Sequence, residues 1–131
     1  MKTGLPSVLG DNVQVENSLC VLDRSLALER VGGDEDLLRE MAQLFLEEYP
    51  AQISAIRNAV SQRDAKAIER TAHSLKGSVG NFAASTAYQS ALALEIVGRT
   101  GKLEEAEQTL KALETALADL LPEMERLVAS H

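Results

Sequence analysis

The sequence predicts an all-α protein, an antiparallel up-down four-helix bundle with a short additional N-terminal helix. Three observations carry that expectation. The apolar residues, 45% of the chain, are mostly Leu, Ala, Val and Ile with only 3% aromatics, which suits helix-on-helix packing. They recur at steps of three and four along several segments, the spacing of one helical face. The stretches between those segments are short, and short connections force successive long helices to run antiparallel. The 131 residues fit one domain able to bury a core without a metal or disulfide staple.

Residues 1–20 carry Gly, Pro, Ser and Asn without helical period and read as a flexible arm or linker, leaving 21–131 for the bundle. A first, short helix is expected over 23–30, stopped by Gly32 and Gly33. Asp34 is placed to cap the second helix, with Glu35 and Asp36 favourable in its first turn. That long helix keeps its period through Leu37, Leu38, Met41, Leu44, Phe45, Ile53, Ile56 and Val60, with a kink expected at Pro50, which lacks a backbone donor. After a turn over 61–64, Asp64 caps a third helix whose stripe is Ala65, Ile68, Ala72, Leu75, Val79 and Phe82. Ser85 is the expected cap of a fourth helix ending at Gly98. Leu103 opens a fifth reaching about Ala129, with Pro122 a second expected kink. No internal repeat or low-complexity tract is visible.

Charge and cysteine content exclude several classes. A net charge of −7 and a pI near 4.8 argue against nucleic acid and anionic membranes, whose phosphates need clustered Lys and Arg. The single Cys20 cannot pair internally and has no metal-ligand or catalytic spacing. Gly4, Pro6, Gly10 and Asp11 interrupt any signal-peptide run, and no stretch approaches the ~20 apolar residues of a span. A cytoplasmic location is expected. His131 reads as a tail residue, and no second buried histidine stands ready to share a metal with His73. Acidic pairs such as Glu47-Glu48 and Glu104-Glu105 read as solvated faces able to orient a basic partner.

The chemistry concentrates on the third helix. At about 100° per residue, His73 lies about 130° from the centre of the apolar stripe and faces solvent. Glu69, Lys76, Gly77 and Gly80 share its side of the helix. Each glycine costs roughly 1 kcal/mol relative to alanine in a helix interior. Clearance beside the imidazole for a bulky phosphorylated partner offsets that cost; close packing of another helix is the alternative. Lys76 offers a charge to phosphoryl oxygens, or is simply a solvated lysine. A neutral, exposed imidazole is nucleophilic near pH 7. The outer face shows no acid-base pair, triad or Gly-rich phosphate loop of a self-sufficient enzyme.

The run Ala72-His73-Ser74-Leu75-Lys76-Gly77-Ser78, followed by Asn81-Phe82, resembles the signature of the bacterial histidine-containing phosphotransfer (HPt) family. The likeness extends over most of 23–129, including Arg30-Val31-Gly32-Gly33-Asp34 and Leu94-Glu95-Ile96-Val97-Gly98-Arg99, with His-x-x-Lys-Gly its specific core. It implies that His73 is the phosphoacceptor, that Lys76 steadies the phosphoryl group, and that Gly77 admits a docking receiver domain. Where Ala83 stands the family often has Gly. Glu95 and Arg99 either reach toward His73 from the neighbouring helix, as polar residues do in some members, or form an exposed i,i+4 ion pair worth ~0.5 kcal/mol or less. With Glu69, Gly77 and Gly80 they make the expected receiver-docking set.

The resemblance further implies a phosphorelay module, not an enzyme, that takes a phosphoryl group from a receiver-domain aspartyl phosphate and passes it to another receiver. No cofactor or metal of its own is expected; magnesium comes with the receiver. The partners are then receiver domains and a histidine or hybrid sensor kinase, with the domain itself a monomer. Two alternatives stand beside it: a phosphoacceptor domain served by a chemotaxis-type kinase, and a helical adaptor in which His73 is never modified.

Overall fold

The computed structural model describes residues 20–129. Most of the expected N-terminal arm, and His131, lie outside the described residues. Five α-helices follow in order: α1 (Arg24–Arg30), α2 (Glu35–Ser61), α3 (Ala65–Gly80), α4 (Ser85–Thr100) and, after a 3₁₀ turn over Leu103–Glu105, α5 (Ala106–Ala129). The four long helices close a ring in which α2 packs on α3, α3 on α4, α4 on α5 and α5 back on α2. No helix among the described residues is long and apolar enough to cross a membrane.

Three aspartates start three helices. Asp23, Asp34 and Asp64 each sit in extended backbone and accept a bond from the N–H three residues on, at Leu26, Leu37 and Ala67. Each satisfies a donor that the first helical turn leaves without a partner. The fourth start departs from the sequence expectation. The residue before α4 is Ala84, which makes no side-chain cap, and Ser85 is already helical. Its hydroxyl is engaged elsewhere, accepting from Cys20 N at 2.8 Å and donating to Cys20 O at 3.3 Å. Those bonds tie the chain entering α1 to the start of α4.

The fourth helix also ends later than Gly98 suggested. α4 runs to Thr100 and stops at Gly101, whose φ of 76° is the left-handed conformation that closes helices. Gly98 is instead buried in the α3–α4 contact. α2 and α5 each continue as one helix through Pro50 and Pro122. Leu103 opens the 3₁₀ turn and not the fifth helix itself.

On α2, Leu38, Phe45, Ile53, Ile56 and Val60 are buried, whereas Leu37 and Leu44 are 41% and 52% exposed. They lie roughly 130° around the helix from the buried line, too far to turn inward. On α3 the expected stripe is buried at Ile68, Ala72, Leu75 and Val79 and continued past the helix end by Phe82, whereas Ala65, at the helix start, is only half-buried. Phe82 meets Phe45 of α2 edge-on at 6.0 Å between ring centres. Burial of this one face fixes the rotation of α3 and so decides which residues it shows to water.

Candidate functional site at His73

With its apolar stripe turned inward, α3 presents Lys66, Arg70, His73 and Gly77 along its outer side, at helical steps of four, three and four. The His73 side chain is 66% exposed. Its ring is nonetheless fixed, because Nδ1 lies 3.1 Å from Oε2 of Glu95 on α4. Paired with a carboxylate, Nδ1 carries the proton, and the lone pair of a neutral ring is left on Nε2.

Glu95 organises the site and is itself only 3% exposed. Lys76 Nζ lies 2.8 Å from its Oε1 and Arg99 Nη2 2.7 Å from its Oε2. Burial alone raises the carboxyl pKa, but the bonds and charges of Lys76 and His73 outweigh it and hold Glu95 below its ordinary value. Arg99 reaches on from Glu95 to Glu69 on α3, with Nε 3.2 Å from Oε2. Lys76 is only 17% exposed and sits over the Tyr88 ring, 5.8 Å from its centre.

The geometry separates the residues singled out by sequence. His73, Lys76, Glu69, Glu95 and Arg99 converge on one network. Glu95, however, is 3% exposed, held between Lys76 and the imidazole at the back of a cleft, so it positions the ring more than it offers a surface for a partner to dock on. It is also not half of an exposed i,i+4 pair: Arg99 does contact it four residues on, but the carboxylate lies inside. The two glycines of α3 differ as well. A Cβ on Gly77 would meet nothing within 4 Å, whereas one on Gly80 would come within 3.3 Å of the Tyr88 ring. Gly77 therefore gives the open approach beside His73. Gly80 makes room for Tyr88, and its carbonyl accepts from Arg30 Nη1 at 2.8 Å.

The sequence reading passed over three residues here. Tyr88 braces both Lys76 and Gly80. Lys66 and Arg70, seven and three positions before His73 on its own face, line an open cleft beside the ring together with Glu69, His73 and Glu95. The helical spacing held the signal for both. Among the described residues, no three His, Cys, Asp or Glu side chains gather as a metal site.

The Hpt domain family model matches residues 40–126 of this chain, the span from α2 through most of α5. Among solved structures, the chain is similar to histidine-containing phosphotransfer protein B (HptB) from Pseudomonas aeruginosa PAO1. The match has a TM-score of 0.78 and 22% identity, and covers 85% of this chain and 96% of that one. At that identity the likeness speaks for the fold. No curated protein matches the chain at a significant level.

Proposed function

Because the chain belongs to the Hpt domain family, whose members carry phosphoryl groups in phosphorelays and are not enzymes, we propose that His73 is its phosphoacceptor, charged by the aspartyl phosphate of one receiver domain and discharged to a second. The observation that carries this reading is the fixed yet exposed imidazole, its Nδ1 bonded to buried Glu95 and its side chain 66% exposed.

The chemistry follows from that arrangement. The Nε2 lone pair attacks phosphorus in line as the P–O bond to the receiver aspartate breaks, and the electron pair leaves with the carboxylate. The product is an N-phosphorylated imidazolium that keeps its proton on Nδ1, where Glu95 faces the new positive charge. No proton has to be removed for the forward step or returned for the reverse, so the bond can pass either way with little reorganisation. The open backbone at Gly77 lets the receiver bring its phosphoaspartate, with the magnesium it binds, against the ring. Lys76 holds Glu95 ionised and in place.

The test is incubation with a phosphorylated receiver domain and magnesium. Wild-type protein should acquire acid-labile, base-stable label, chased off by a second receiver. His73→Gln should acquire none. Equal labelling of His73→Gln would overturn the assignment, and an unlabelled wild type across the receivers encoded in the same genome would favour an adaptor.

A further inference from the structure

Of the four cations around His73, two are already committed. Lys76 lies within 2.8 Å of Glu95, and Arg99 is shared between Glu95 and Glu69. Both acids are thereby matched inside the network, and neither cation can turn to a new anion without abandoning a carboxylate that is 3% exposed. Lys66 and Arg70 stand differently. Both are exposed, and neither forms a hydrogen bond or ion pair with another described residue.

Their placement relative to the ring is specific. Side chains on a helix lean toward its N-terminus, so the imidazole of His73 reaches back over the turn that carries Glu69 and Arg70. The open cleft lies on that side, walled by Lys66, Glu69, Arg70, His73 and Glu95. A group attached to Nε2 enters a space whose uncommitted walls are cationic. A phosphoryl group brings about −1.5 to −2 charges and three acceptor oxygens, which a guanidinium fork and an ammonium match.

Building on the assignment of His73 as phosphoacceptor, we propose that Arg70 and Lys66, not Lys76, hold the phosphoryl oxygens of phosphorylated His73. Lys76 is a positioning residue that acts through Glu95. Arg70 and Lys66 stabilise the phosphorylated state by direct contact, from the side of the ring opposite Gly77. The receiver then approaches over the bare backbone while the charge is held from behind.

The test needs no receiver. Phosphoramidate serves as a small phosphoryl donor, and the ³¹P resonance of the phosphorylated protein is followed through the second ionisation of the phosphoryl group. Peptide mass mapping separates label on His73 from label on His131. Each cation near the phosphoryl group lowers that midpoint by roughly half a pH unit, the size of a unit-charge interaction across ~5 Å of water-like medium. The other charges facing the group, those of Glu69, Glu95, Lys76 and Arg99, are left in place.

Lys66→Gln/Arg70→Gln should therefore titrate about one pH unit higher than wild type, Arg70→Lys should recover part of the shift, and Lys76→Gln, which removes a single cation already paired with Glu95, should move it by no more than about half as much. A double variant that titrates with wild type, or a Lys76→Gln shift as large as the double variant's, would overturn the proposal. Failure of His73 to take label while His131 does would strike the phosphoacceptor assignment, and this inference with it. Both substituted side chains are exposed, so the double variant folds as wild type does.

Discussion

Replacing Gly98 by alanine pits two physical effects of opposite sign against each other. Helix propensity alone favours alanine in the interior of α4 by about 1 kcal/mol. The structure demands the reverse. A Cβ at Gly98 would stand 2.5 Å from the Glu69 backbone nitrogen and 2.7 Å from the Ala65 carbonyl oxygen, where ordinary contact begins at 3.4 Å. Both obstacles are backbone atoms of α3, so no side chain can rotate away, and the helices must part by roughly an ångström along a close-packed seam. Overpacking typically costs about 1–3 kcal/mol and occasionally more; with both atoms closer than 3.0 Å, this position belongs at ~3 kcal/mol or above. Subtracting the propensity gain leaves a net loss of about 2–4 kcal/mol. For a domain of this size that lowers the melting midpoint by roughly 8–15 °C. Thermal and urea unfolding of Gly98→Ala followed by circular dichroism reads the effect directly. Glu69 and Glu95 flank the same seam, so phosphoryl transfer should also slow at temperatures where the variant is still folded. A variant as stable as wild type, or more so, would show that the α3–α4 approach is not as close as described and would remove the reason given for a glycine there.

Substitutions at three further positions probe separate features of the structure. Gly77→Ala meets nothing within 4 Å, so unfolding experiments should find it more stable by about 0.5–1 kcal/mol, while Gly77→Leu should sharply slow transfer from a receiver without slowing labelling by phosphoramidate. Ala83 holds a φ of 54°, left-handed backbone that costs a residue with a Cβ roughly 1–2 kcal/mol; after the entropy of the freer unfolded chain, Ala83→Gly should gain up to about 1 kcal/mol in urea denaturation. Glu95→Gln should lower the transfer rate roughly 10- to 100-fold, the value of one bond to a charged group of about 1.5–3 kcal/mol. It should also flatten the acid limb of stability: the folded carboxyl titrates below its ordinary 4.5, so its contribution is complete above that value and is lost as pH falls through the folded pKa. Wild type should thus lose more stability than the variant below about pH 4.5 in pH-dependent melts.

Much of the architecture could be read locally. The Asp34 and Asp64 caps and the α3 stripe depend on residues within a turn or two of one another, which is why they could be placed from the sequence alone; Asp23, expected as the start of α1, is its cap. What could not be read depended on distant partners. Ser85 looked like a cap because nothing in its own neighbourhood showed that Cys20, 65 residues earlier, would take its hydroxyl. Gly98 looked like a terminator because close approach between helices leaves no mark in the sequence of either one. Glu95 is the instructive case. Ala84, Ala87, Ala91 and Gly98 are all buried and spaced by three, four and seven, and Glu95 falls in register between the last two. A carboxylate in a stripe of small residues facing a histidine and a lysine of the next helix could have been read as buried.

The placement of that carboxylate bears on how an acidic chain could serve the phosphoryl chemistry proposed for His73. The protein carries a net charge of −7, and its field as a whole repels phosphoryl groups. Around His73 the balance is inverted: Lys66, Arg70, Lys76 and Arg99 surround two acids, Glu69 and Glu95, and Glu95 is removed from solvent and matched by Lys76. Burying the acid keeps its hold on Nδ1 while hiding its charge from an approaching phosphate, and leaves Lys66 and Arg70 to set the local field. Surface electrostatics of this range fade within the roughly 8–10 Å screening length of physiological salt, so the positive cleft is felt only once a partner is nearly docked. On the proposed assignment, shape at the bare Gly77 backbone would then select the encounter, and charge in the cleft would stabilise what is transferred.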